Sequence, residues 1–89
     1  MIYGERERIY RKAIETFGEL NQKVIATEEM AELIKELSKN FRGQPNRDAI
    51  AEEIADVSIM LEQLCMIYDI KNAVEVWKRR KLARLEKRL

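Results

Sequence analysis

Two stretches decide the fold: Glu28-Glu29-Met30-Ala31-Glu32-Leu33-Ile34-Lys35-Glu36-Leu37, and Glu52-Glu53-Ile54-Ala55-Asp56-Val57-Ser58-Ile59-Met60-Leu61. In both, apolar residues return every three or four positions, which is the period of an amphipathic helix and not of a strand. In both, a pair of acids stands three residues apart, Glu29 with Glu32 and Glu53 with Asp56. Residues at that spacing share one side of a helix.

Outward from these stretches the same period covers nearly the whole chain. Ile9, Ala13, Ile14 and Phe17 form a first stripe, with Gly18 near its end. Asn21 is the expected N-cap of a second helix, through its side-chain oxygen. That helix runs through Val24, Ile25, Met30, Leu33, Ile34, Leu37 and Phe41. Arg42-Gly43-Gln44-Pro45-Asn46 is the one strong breaker cluster. Asn46 is the expected cap of a third helix carrying Ile50, Ile54, Val57, Leu61, Leu64 and Ile67, and Asp69 to Asn72 marks a further bend. A fourth helix carries Ala73, Val74, Trp77, Leu82, Leu85 and Leu89. With 3 Gly and 1 Pro there is little material for the turns a sheet would need. The sequence therefore predicts one all-α domain over residues 1–89, a four-helix bundle.

At 89 residues the chain buries only about 60–65% of its unfolded surface, so self-association is expected from size alone. Composition excludes several chemistries. There is no His, which removes Ser-His-Asp, Cys-His and zinc-His sites within one chain. Cys65 is the single cysteine, which removes an intrachain disulfide and fits a reducing cytoplasm. No uncharged run reaches the 18 or so residues of a membrane span. The acidic start Met1-Ile2-Tyr3-Gly4-Glu5 does not read as a signal peptide.

The net charge of +1 conceals a separation. Residues 48–69 hold Asp48, Glu52, Glu53, Asp56, Glu62 and Asp69 without any Lys or Arg, whereas residues 71–89 hold eight bases against Glu75 and Glu86. An isolated pair of acids on a helix is ordinarily a solvated face. Two pairs on consecutive helices, each inside an apolar run, point to four carboxylates held together, which a divalent hard cation neutralises. Asp56 is surrounded by apolar residues on almost every side, and Glu32 sits between Ala31 and Leu33, so both are expected to be buried. The small residues Ala31, Ala55 and Ser58 are expected to let the two helices approach closely.

The combination EEMAEL, about twenty residues, then EEIADV resembles the EExxE…ExxD signature of the all-α nucleotide pyrophosphohydrolases, the MazG-like superfamily. The longer string from Phe17 to Leu64 is similar to short single-domain members found in phages and prophages. The resemblance spans roughly residues 13–89. It implies Mg²⁺-dependent hydrolysis of a nucleoside triphosphate, a dNTP or a non-canonical NTP, to the monophosphate and pyrophosphate, with Mn²⁺ as a substitute metal. It implies a homodimer or a dimer of dimers with sites between subunits. Its metal ligands fall on Glu29, Glu32, Glu53 and Asp56, and either Glu28 or Glu29 falls to the task of orienting or deprotonating water. Lys78, Lys81 and Arg84 are the implied phosphate contacts, and Asn21, Gln22 and Phe17 the implied nucleobase contacts. A related biosynthetic substrate, phosphoribosyl-ATP, is a further option within the same family.

Against these functional assignments, Phe17, Trp77, Met30, Met60 and Met66 are most simply core residues, and Cys65 a buried small hydrophobe. The competing functional class is a non-enzymatic helical module whose basic C-terminal helix binds nucleic acid or an acidic partner. The acids of residues 48–69 would repel phosphates and argue against nucleic acid.

Overall fold

The structure, a computed structural model, describes residues 3–89; Met1 and Ile2, part of the segment that does not read as a signal peptide, lie outside them. Four helices follow in order: α1 (Tyr3–Phe17), α2 (Glu19–Phe41), α3 (Arg47–Tyr68) and α4 (Lys71–Lys87). The described residues contain no strand, so the protein is all-α as its apolar spacing requires. No helix is long and apolar enough to cross a membrane.

The breaks between helices have local causes. Gly18 separates α1 from α2 at φ 89°, a left-handed conformation that glycine adopts without Cβ strain. Gly18 is the N-cap, its carbonyl accepting from the Gln22 N–H at 3.1 Å. Asn21, expected to cap α2, instead lies in its first turn and donates to Gln22 Oε1 at 3.4 Å. The expectation missed that glycine can start a helix as well as stop one.

Asn46 does stand at the N-cap of α3, yet its side chain makes no cap hydrogen bond. It turns back to α2, where its Nδ2 donates to the Glu36 carbonyl at 2.8 Å and to Glu36 Oε1 at 3.0 Å. Lys39 Nζ meets the other Glu36 oxygen at 3.1 Å. Asn46 thus clips the two long helices together across their turn. At the far end of α3, Asp69 takes the left-handed conformation at φ 53°, and the Ile70 N–H returns to the Cys65 carbonyl at 3.0 Å.

The α2–α3 pair is the principal packing contact of the molecule, with α1 laid against both and α4 against α3. The buried apolar residues are Tyr10, Ala26, Val57 and Met60. Ala26, at 1% exposure, is the small residue that permits close approach of α2 and α3. Ala31, Ala55 and Ser58, expected in that role, are exposed. They fall outside the stripe that the antiparallel packing turns inward. Phe17 and Trp77 are also exposed, at 60% and 51%, as is Met30, whereas Met60 is buried and Met66 and Cys65 are half-buried.

A single chain is too small to enclose so many apolar side chains. Its radius of gyration is 15.5 Å, where a compact chain of this length has about 12 Å. α4 contributes no buried residue. Its first residue, Lys71, reaches Glu7 of α1 at 3.5 Å.

Candidate metal centre

The hairpin of α2 and α3 sets the site. Gln22 and Gln63 are both buried, and Gln22 Nε2 donates to Gln63 Oε1 at 2.8 Å. Seven residues further along α2 is Glu29, and seven residues back along α3 is Asp56. Seven residues are two helical turns, about 10.5 Å, so in antiparallel helices these two positions face each other as the glutamines do. The Glu29 and Asp56 carboxylates lie side by side there. One turn from Asp56, Glu53 completes a group in which one ligand oxygen from each of Glu29, Glu53 and Asp56 lies within 4.8 Å of the others.

All three residues are half-buried. Burial, followed by the charges of Asp56 and Glu53, raises the Glu29 carboxyl above its ordinary value. Burial, followed by the charges of Asp56 and Glu32, raises that of Glu53. Glu53 Oε2 is buried and has no hydrogen-bond partner. None of the ion pairs Lys39–Glu36, Lys71–Glu7 and Lys78–Glu75 includes a member of the group. The site therefore concentrates negative charge and leaves one buried acceptor unsatisfied, a costly arrangement in the absence of a cation.

The donor set fits a hard divalent ion. Mg²⁺ takes oxygen ligands at about 2.1 Å, which puts opposite ligands about 4.2 Å apart. The three oxygens lie within 4.8 Å of one another, the scale of such a ligand set. Three carboxylates leave further coordination positions for water or substrate oxygens, as Mg²⁺ sites usually do.

The remaining candidate residues separate. Glu32 is exposed and outside the three-residue group, and it acts on Glu29 and Glu53 through its charge. Its position on α2 is rotated away from the buried stripe, a distinction that two flanking apolar residues in sequence do not reveal. Glu28 is exposed and also outside the group. Gln22 is a core residue in this chain and Asn21 is exposed beside it. Lys78, Lys81 and Arg84 are all exposed on α4. Lys78 pairs with Glu75 at 3.5 Å, and Lys81 Nζ lies 5.9 Å from the centre of the Trp77 ring. Arg80 lies over the same ring at 5.3 Å.

Two positions carry more of the site than their sequence neighbourhood suggests. Gln63 fixes the register, and its signal is a polar residue in line with Val57 and Met60 on the inward stripe. Tyr10 is buried, and burial, followed by the neighbouring Glu62 carboxylate, raises its hydroxyl above the ordinary range. Comparisons with protein-family models, curated proteins and solved structures find no significant match.

Proposed function

We propose that this protein is a Mg²⁺-dependent nucleoside triphosphate pyrophosphohydrolase of the MazG-like type, acting as a homo-oligomer in the cytoplasm. The observation that carries the reading is the buried, unpartnered Glu53 Oε2 beside Glu29 and Asp56. Such an oxygen calls for a cation, and the paired acidic motif resembles that of enzymes that use one. Mn²⁺ has the same ligand preference and is the natural substitute.

Glu29, Glu53 and Asp56 would hold the metal, with Glu32 adding charge at the rim. Bound there, Mg²⁺ offsets phosphate charge and polarises the phosphoryl oxygens. The chain's own residues have distinct tasks. Glu29, beside the metal, is the carboxylate assigned to orient or deprotonate the attacking water. Glu28 stands outside the group, so Glu29 is the better placed of the two for this role. Attack at the α-phosphorus breaks the α–β anhydride bond and gives the monophosphate and pyrophosphate. The exposed bases Lys78, Lys81 and Arg84 supply positive charge for the phosphates. Within one chain they belong to a helix that packs on α3, and a neighbouring subunit offers a second route for them to a site. The buried Gln22 shapes the site through register, and Asn21 and Phe17 are the exposed residues left to meet a base.

The test is incubation of the pure protein with a panel of canonical and modified (d)NTPs plus Mg²⁺, with pyrophosphate release as the readout. Activity lost in Glu53→Ala and Asp56→Ala supports the reading. Absence of pyrophosphate from every triphosphate would remove it.

One observation favours a second reading, a binding module for nucleic acid or an acidic protein. α4 has no buried residue and carries Trp77 exposed between cations. An aromatic ring flanked by bases is a stacking platform for unpaired nucleotides. Salt-sensitive binding of single-stranded DNA or RNA that ignores divalent ions would favour this reading over the enzyme.

A further inference from the structure

The face of α2 turned away from α3 carries a repeat that the metal centre does not use. Leu20, Val24, Thr27, Ala31, Ile34, Ser38 and Phe41 follow one another at alternating steps of four and three residues. This is the 3.5-residue repeat of a helix–helix seam. Gln22, Ala26, Glu29, Leu33 and Glu36 line the opposite side of the same helix and face α3. The outer stripe is open: Leu20 is 75% exposed, Ile34 64% and Phe41 80%. Leu20, Val24, Ile34 and Phe41 are exposed large apolar side chains on one stripe, with Thr27, Ala31 and the half-buried Ser38 between them, and such a clustering marks an association surface.

Charge identifies the occupant. Glu28 and Lys35 flank the stripe on one side, one heptad apart. Among the described residues neither makes an ion pair within its own chain. A second α2 laid antiparallel across a two-fold axis can seat the stripes in three nearby registers. In one, Val24 meets Phe41, Thr27 meets Ser38 and Ala31 meets Ile34. Glu28 of each copy then stands beside Lys35 of the other, and Asn21 beside Arg42. Shifted by one heptad one way, Glu28 of one copy stands beside Glu28 of the second; shifted the other way, Lys35 stands beside Lys35 and Glu28 beside Arg42. Like charges there oppose association. The first register places the small or polar residues Thr27, Ala31 and Ser38 in its middle layers and large apolar residues at both ends. Its seam from Val24 to Phe41 is about 26 Å long. α4 offers no comparable self-match, because residues 71–89 hold eight bases against two acids.

We propose that the outer face of α2 is the seam of an antiparallel, two-fold dimer, with Val24 layered on Phe41 and Glu28 paired with Lys35 of the other copy. This deepens, and rests on, the reading of the chain as a homo-oligomer. In such a dimer the Glu29–Glu53–Asp56 groups lie on the side of α2 away from the seam. It also gives Glu28 a task at the interface.

Sedimentation equilibrium on the full chain tests the proposal, with Ile34→Asp, Glu28→Lys, Lys35→Glu and the double variant E28K/K35E beside the wild type. All three positions are exposed, so helix content by circular dichroism should match the wild type. The proposal expects an assembled wild type and loss of dimer in I34D. It expects association roughly tenfold weaker in each single charge reversal, and recovery in the double reversal. If the wild type assembles and none of the variants changes it, the seam is overturned and the homo-oligomer reading stands. If single reversals weaken association and the double reversal does not restore it, the antiparallel register is overturned. A wild type that stays monomeric overturns both. Should I34D fail to fold, the charge reversals decide alone.

Discussion

Gln22 and Gln63 are joined by a 2.8 Å hydrogen bond inside the α2–α3 contact, two helical turns from the place where Glu29 meets Asp56. The amide pair fixes how the helices slide against each other, and the carboxylates inherit that register. A slip of one residue on either helix would rotate an acid by about 100° and disperse the group.

Replacing one member of the amide pair leaves the other buried and unpaired. Gln63→Leu is expected to cost about 1–3 kcal/mol and to lower the melting temperature. The double variant Q22L/Q63L removes both polar groups and is expected to recover part of that loss. Thermal melts followed by circular dichroism check both outcomes.

Divalent ions are expected to raise the melting temperature of the wild type in a concentration-dependent way, since binding to the native state alone is stabilising. Glu53→Gln removes a buried charge and is expected to melt above the metal-free wild type near neutral pH. The same variant is expected to lose most of the Mg²⁺ response. A titration of thermal stability with MgCl₂ and MnCl₂ measures this directly, and an unchanged Mg²⁺ response in E53Q would count against the site.

The carboxylates should give pH effects of opposite sign. Glu29 and Glu53 hold their protons above the ordinary 4.5 of a glutamate. The native state therefore binds more protons than the unfolded chain, and their contribution falls as pH rises from about 4.5 through the raised values. Glu36 is held below 4.5 by hydrogen bonds from Asn46 and Lys39. Its contribution is present above 4.5 and lost as pH falls through the lowered value. Metal-free melts across the acid range should show E53Q flattening the loss on the neutral side. Asn46→Ala should remove part of the loss on the acid side.

Alanine at Glu53 or Asp56 is expected to reduce triphosphate hydrolysis by at least 100-fold. Measured ligand-support losses of 10–100-fold set the lower scale. Lys81→Ala and Arg84→Ala are expected to raise KM more than they lower kcat, because a phosphate contact made equally before and during reaction contributes to binding. Steady-state kinetics with a released-pyrophosphate readout separates these cases.

Much of this architecture is legible in the residues themselves. The period of Ile50, Ile54, Val57, Leu61 and Leu64 gives a helix, the Arg42–Asn46 cluster gives the hairpin turn, and the spacing of Glu53 and Asp56 puts two acids on one side of α3. Periodicity along one helix contains no information about rotation against its neighbour. Glu32, between apolar residues, therefore looked as buried as Glu29 and is exposed. Ala31 looked like a packing residue and lies on the outer face. Asn46 has the right identity for a cap, but Glu36 ten residues back competes for its side chain.

The sequence by itself determined that this protein is helical, that it lacks histidine and an intrachain disulfide, and that acids dominate residues 48–69 and bases residues 71–89. Those properties follow from local period and composition. Only the tertiary structure decided which carboxylates form one group and that Glu53 Oε2 stands buried without a partner. It alone showed that Phe17, Trp77, Leu20 and Phe41 remain uncovered. Each depends on the relative rotation and register of two packed helices, and that register is set by long-range contacts such as Gln22 with Gln63.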